Sequence, residues 1–196
     1  MERELLEKIK QLRAETGAPI GKCKEALLAT GGDLEKAKEW LRRKGSELLS
    51  KKEAIETGQG IIEGYVHFNG RVGALVELRA ETDFVTKSED FKKLAHEIAL
   101  QIATMNPQYI SLNDVPAEVL EAKKREFIEE IGEDKPKDVI EKILQGKLEK
   151  WASEVCLLNQ PYIKKEEITV KDLIDEYVNK FGEKIEIKRF VRLAID

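Results

Sequence analysis

Asp83 and Phe84 stand side by side in the tract Glu77-Leu-Arg-Ala-Glu-Thr-Asp-Phe-Val-Thr86, a carboxylate against a large apolar ring. Such a pair suits two arrangements. Either the ring turns into the core while the carboxylate is solvated, or both are presented to a partner. From pattern alone the first is the commoner outcome, because most apolar residues near the ends of elements belong to a core. Residues for covalent chemistry are scarce. There are two histidines, His67 and His96. His67 alternates with strand-forming residues, and His96 lies off the apolar stripe of its helix. Neither has a Cys, Ser or carboxylate at the spacing of a nucleophile–base pair or a metal site. The two cysteines, Cys23 and Cys156, fall at apolar positions of helical patterns, where a free thiol acts as a small hydrophobe. Gly31-Gly32 lacks the preceding strand and following Lys-Ser/Thr of a phosphate loop. The carboxylates are spread along helix faces as solvated surface. No catalytic constellation emerges, so any acceleration of a reaction must come from binding.

The 196 residues are 41% hydrophobic and 37% charged, a globular composition with a heavily charged surface. A net charge of −4 argues against nucleic acid as the main ligand, which needs a local excess of Lys and Arg. One cationic group, Arg42-Arg43-Lys44 with Lys51-Lys52, reads as a helix C-terminus complementing the macrodipole, followed by a charged linker. The other is Lys188-Arg189 with Arg192. No stretch approaches the apolar length of a membrane span, and the N-terminal Met-Glu-Arg-Glu is not a secretory signal. Cysteines without disulfide spacing fit a reducing compartment, and the cytoplasm is the expected location.

The elements that position Asp83 and Phe84 can be read from periodicity. Residues 1–50 predict three helices. Leu5, Leu6, Ile9 and Leu12 face inward on the first, Ile20, Cys23, Ala26 and Leu27 on the second, and Leu34, Ala37, Trp40 and Leu41 on the third. Asp33 is placed to cap the third helix, and Gly45 to stop it. Residues 51–60 read as a linker, and 61–196 as an α+β core. In that core two strand-like runs, Ile61–Phe68 and Val72–Leu78, flank Asn69-Gly70, a two-residue hairpin signal. A helix opening near Ser88 carries the stripe Phe91, Leu94, Ala95, Ile98, Ala99, Ile102 and Ala103. Further helices are expected over 117–131, from Pro136 toward Val155, and over 170–181, stopping at Gly182. In the last segment Ile185, Ile187, Val191, Leu193 and Ile195 alternate with Glu186, Lys188 and Arg192. This segment should join the hairpin as a three-stranded antiparallel sheet covered by helices.

Two tracts then match a known family. Leu12-Arg-Ala-Glu-Thr-Gly-Ala-Pro-Ile-Gly-Lys-Cys-Lys-Glu-Ala-Leu27 resembles the N-terminal signature of bacterial elongation factor Ts. Glu77 through Lys87, centred on Thr82-Asp83-Phe84-Val85, resembles its second signature. Met105-Asn-Pro107, Gly146-Lys-Leu148, Asn159-Gln-Pro-Tyr162, Phe181-Gly-Glu-Lys-Ile185 and Arg189-Phe190 resemble further landmarks in the family's order.

The resemblance implies a guanine-nucleotide exchange factor for elongation factor Tu, working by binding and without covalent chemistry. It implies no cofactor of the chain's own; the chain acts on the Mg²⁺ and GDP of its partner. By that analogy Asp83 and Phe84 enter between helices of the partner's nucleotide-binding domain, and Thr82 and Val85 fix the turn that aims them. The N-terminal helices dock elsewhere on that domain through Arg13, Ile20 and Lys24. For Ile20 the alternative is core packing; for Arg13 and Lys24 it is a solvated helix face. Short relatives with a single core subdomain pair as homodimers, some through a disulfide near the C-terminus. Val191 stands in the corresponding Arg-Phe-X-Arg segment, which implies a non-covalent dimer here. A rival reading is a helical adaptor, since the N-terminal unit also resembles ubiquitin-associated modules, which bind through the turn around residues 17–21.

Overall fold

Three helices lead the chain in the computed structural model, which describes residues 2–52, 54–132 and 135–195. They are α1 (Glu2–Thr16), α2 (Ile20–Ala29) and α3 (Leu34–Lys51). Ile9, Leu12, Cys23, Ala26, Leu27, Ala37 and Leu41 pack into a core of their own. Asp33 caps α3, its carboxylate accepting from the Lys36 N–H, which satisfies one of the orphan amides of the first turn. Leu6 and Ile20, expected to face inward, are exposed. The helices meet over Leu12, Cys23 and Leu27 instead, and this narrower seam leaves both residues on its outer edge.

Glu53, part of the expected linker, lies outside the described residues. The sheet then begins with β1 (Gln59–Val66), which pairs antiparallel with β2 (Val72–Ala80). The turn is longer than a two-residue Asn69-Gly70 loop. The His67 carbonyl accepts from the Gly70 N–H, which makes Phe68 and Asn69 the central residues. Gly70 has a positive φ of 66° and Asn69 does not, whereas a type I′ turn on Asn-Gly needs positive φ at both. Asn69 spends its side chain on the Arg71 N–H. A single turn, α4 (Asp83–Thr86), leads into α5 (Glu89–Met105), whose stripe from Phe91 to Ala103 is buried throughout. Ser88 caps α5 by accepting from the Phe91 N–H, and left-handed Asn106 ends it.

The helices α6 (Ala117–Ile131) and α7 (Lys137–Val155) open after Pro116 and Pro136, as their sequences predict. A short ribbon that the sequence does not announce follows, β3 (Pro161–Tyr162) with β4 (Lys165–Thr169). Next is α8 (Val170–Phe181), opened by a reciprocal Thr169–Asp172 capping box and closed by left-handed Gly182. Strand β5 (Ile185–Ala194) completes the three-stranded antiparallel sheet in the order β1-β2-β5. Strict alternation along β5 fails at one point. Leu78 faces Ile187 and Glu77 faces Arg189, so Lys188 has no opposite residue and forms a β-bulge. Beyond it the facing of the strand reverses. Ile185 and Ile187 are buried, but Val191, Leu193 and Ile195 are exposed. Phe190 packs against the core, and Arg192 turns inward to donate to the Ala103 carbonyl at 2.9 Å.

Sheet and helices together are an α+β arrangement. Val76, Leu78, Phe91, Leu94, Ile98, Leu157, Ile174, Val178 and Ile185 share one core. The opposite sheet face carries Ile62, Val66, Leu75, Val191 and Leu193, all exposed. Gly45 does not stop α3, which runs on to Lys51. It marks where α3 crosses α8: a Cβ added there would lie 2.9 Å from the Asp175 carbonyl carbon. Around this crossing Asn179 donates to the Leu41 carbonyl, and Lys22 donates to Asn179. Arg42 lies 3.3 Å from Glu176 on α8, whereas Arg43 and Lys44 both pair with Glu47 of their own helix, and Lys51 is the basic residue in its last turn. Lys171 donates to Ser46 and to one oxygen of buried Asp175, whose other oxygen has no hydrogen-bond partner.

Candidate functional site

Strand β2 delivers the chain to the site with Ala80 buried and Thr82 in extended conformation. In the single turn of α4, successive side chains splay by about 100°. Burying Val85 and Thr86, which are 3% and 5% exposed, therefore sends Asp83 and Phe84 outward. Phe84 is 84% exposed, and the inward orientation that pattern alone favours is not adopted. Asp83 pairs with Lys87 at 2.6 Å. The Lys87 ammonium holds the Asp83 carboxyl below its usual range, so the site presents an ionised carboxylate beside an uncovered ring.

The turn is tied to its surroundings on its upstream side. Thr82 is the N-cap of α4, yet its side chain makes no cap. Its hydroxyl donates to Glu183 Oε1 at 2.6 Å, and its N–H donates to Glu183 Oε2 at 3.0 Å. One residue earlier, Glu81 accepts from Lys52 Nζ at 2.7 Å and from the Lys184 N–H. Burial works to raise the Glu81 carboxyl, but these two donors outweigh it and the net shift is downward. Lys52 also donates to the Gly182 carbonyl at 2.8 Å. The end of α3, the end of β2 and the α8–β5 turn thus meet beneath Asp83 and Phe84.

Thr82, Asp83, Phe84 and Val85 therefore form one built turn. Arg13, Ile20 and Lys24 form a second exposed group, on α1 and α2 either side of the Gly17–Pro19 turn. Gly17 takes a φ of 67°, and a Cβ there would touch the Lys180 stem at 3.1 Å. Lys180 Nζ pairs with Asp90 in the first turn of α5 at 2.7 Å. One side chain thus spans from the N-terminal turn to the helix that follows the Phe84 turn. Sequence reasoning did not single out Glu183, Lys52, Glu81 or Lys180 as site residues. The Thr82–Glu183 bonds join positions 101 apart, and no local pattern signals them.

The other titratable groups do not form a chemical centre. Tyr65 Oη lies 3.0 Å from His67 Nδ1, and His96 Nδ1 lies 3.1 Å from Glu63, along the edge where β1 meets α5. Among the described residues no group of three or more His, Cys, Asp or Glu could hold a metal ion. Burial raises the Cys23 thiol and pushes Cys156 up to about 11, which removes both as nucleophiles near neutral pH. Among the described residues no helix is long and apolar enough to cross a membrane.

Comparison with known proteins places the whole chain beside one family. The family model for elongation factor Ts matches residues 4–196. Elongation factor Ts of Thermodesulfovibrio yellowstonii is 49% identical over 187 residues, covering 95% of this chain and 94% of that protein. That of Carboxydothermus hydrogenoformans is 48% identical over 189 residues, covering 95% and 87%. That of Thermotoga maritima is 48% identical over 187 residues, covering 95% and 94%. With the match running nearly end to end, the chain belongs to the elongation factor Ts family.

Proposed function

We propose that this chain promotes GDP release from elongation factor Tu by inserting Asp83 and Phe84 into the partner's nucleotide-binding domain. Membership of the family makes it a translation elongation factor that exchanges nucleotide by binding, without covalent chemistry. The observation that carries the insertion is the exposure of Phe84 on a turn anchored on both sides. A free aromatic ring costs solvation in the unbound protein and gains about 1.5–3 kcal/mol when buried in a partner. That gain offsets the displacement of helices that position the partner's Mg²⁺ ligands. Asp83, ionised and held by Lys87, alters charge and hydrogen bonding around the metal. A factor that binds nucleotide-free partner better than GDP-bound partner must weaken GDP by the same coupling free energy. The chain needs no cofactor of its own; it acts on the Mg²⁺ and GDP held by elongation factor Tu, in the cytoplasm, without nucleic acid or membrane.

Residues 1–50, read as a ubiquitin-associated-like module, dock on the same domain through Arg13, Ile20 and Lys24. The exposure of Ile20 supports this contact role over core packing. The chain also pairs with a second copy through the outer sheet face. Val191, at the position where some relatives place a subunit-linking cysteine, lies on that face beside Leu75. Glu77, bound by both Arg79 and Arg189, supplies a polar end to the patch.

The decisive experiment follows a fluorescent GDP analogue leaving elongation factor Tu, chased with excess GDP, with and without this protein. Marked acceleration is expected. Binding without acceleration would leave a docking protein, and the exchange reading would be wrong.

A further inference from the structure

We propose that Glu183 is a positioning residue for exchange, setting the direction in which Asp83 and Phe84 project; this rests on the exchange-factor reading above. Exposed side chains have no packing of their own to hold their aim, so it must come from the chain on either side. Downstream, buried Val85 and Thr86 supply it. Upstream, Thr82 is exposed and extended, and it has two donors to satisfy. Both go to the Glu183 carboxylate, one from the backbone and one from the hydroxyl, which fixes the peptide plane and the side chain together. Hydrogen bonds to an ionised acceptor are roughly twice as strong as neutral ones.

The arrangement is reciprocal. Glu183 reaches across to the backbone of Thr82, and Glu81 reaches back to the backbone of Lys184. Two adjacent segments thereby exchange carboxylate–amide bonds in opposite directions. Lys52 closes the assembly by donating to both Glu81 and the Gly182 carbonyl. Glu183 is itself aimed by Gly182, whose φ of 73° turns the chain sharply out of α8. The Thr82 hydroxyl, which an N-cap threonine ordinarily turns toward its own helix, is committed to this tether. Because Thr82 is exposed, water can replace the lost acceptor. Removing Glu183 should therefore loosen the turn at little cost to global stability.

The test measures GDP release from elongation factor Tu against concentration of the full chain, for Glu183→Ala and Glu183→Gln. Misaiming predicts a plateau rate about tenfold lower for Glu183→Ala. The half-saturating concentration should stay within about twofold. Glu183→Gln, which keeps an acceptor oxygen, should recover much of the plateau. Adding Thr82→Val to Glu183→Ala should cost less than the two changes multiplied, since both break one tether. Amide hydrogen exchange on the free chain provides a readout independent of the partner. It should quicken over residues 82–87 in Glu183→Ala and stay unchanged in α5. An unchanged plateau, unchanged exchange at 82–87, or a higher half-saturating concentration at full plateau would each overturn the assignment. So would a rate loss in both variants that only tracks a fall in melting temperature. If the unsubstituted chain failed to release GDP, the exchange reading would fall on its own, and amide exchange would still decide whether Glu183 holds the turn.

Discussion

Gly45 in α3 and Asp175 in α8 meet backbone to backbone, with no room for even a methyl group between them. This contact joins the three leading helices to the α+β core, and Asn179 reinforces it by donating to the Leu41 carbonyl. The turn bearing Arg13, Ile20 and Lys24 and the turn bearing Phe84 are therefore held on one scaffold.

Gly45→Ala tests this directly, because two effects predict opposite signs. In an exposed helix interior alanine would stabilise by about 1 kcal/mol over glycine. Against the α8 backbone, which cannot swing aside, the added carbon should destabilise by about 1–3 kcal/mol. Denaturant midpoints should show a loss. A gain would mean that α3 and α8 are not in contact at Gly45.

Asp175 gives the same interface a pH dependence. Burial raises its carboxyl above the usual 3.8, with Lys171 only partly compensating. Its stabilising contribution is complete below the unfolded value and is lost as pH rises through the raised folded value. Unsubstituted protein should therefore lose stability relative to Asp175→Asn over the window from the usual carboxyl value of 3.8 up through the raised folded one. Urea midpoints at both ends of that window would reveal it, and a constant difference would place Asp175 in water.

Phe84→Ala should leave folding almost untouched, with stability within about 0.5 kcal/mol, as expected for an exposed site. At saturating concentration, stimulation of GDP release should nevertheless be largely lost. Full stimulation by this variant at unsubstituted concentrations would rule out insertion of the ring.

Val191→Asp places a charge on the outer sheet face, on edge strand β5 opposite Leu75. The far-ultraviolet circular dichroism should be unchanged, while sedimentation should shift from the proposed dimer to a monomer. A variant that still sediments as a dimer would move the pairing surface elsewhere.

Much of the fold can be read from local pattern. The α5 stripe and the limits of α8 follow from periodicity, capping residues and a terminal glycine, all local signals. Other features required tertiary information. A glycine that ends a helix and one that admits a neighbouring helix look alike in sequence, which is why Gly45 misleads. Asn69-Gly70 announces a hairpin, but the loop length depends on pairing that only the folded sheet fixes. At the site, the signature tract points to Asp83 and Phe84. The exposure of Phe84 depends on which neighbours the core claims, and its brace on a glutamate from the far end of the chain.

The bulge at Lys188 gives β5 two grammars in one strand. Up to Ile187 the odd positions close the interior; past it the odd positions face out and the even ones face in. Keeping Lys188 but pairing it regularly, with no bulge, would carry a single phase of alternation through the whole strand. Val191 and Leu193 would then be driven into the interior and Phe190 and Arg192 onto the surface. The chain's inside and its outward-facing aliphatic patch are therefore written in one phase-shifted segment, and neither can slide by a residue without rewriting the other.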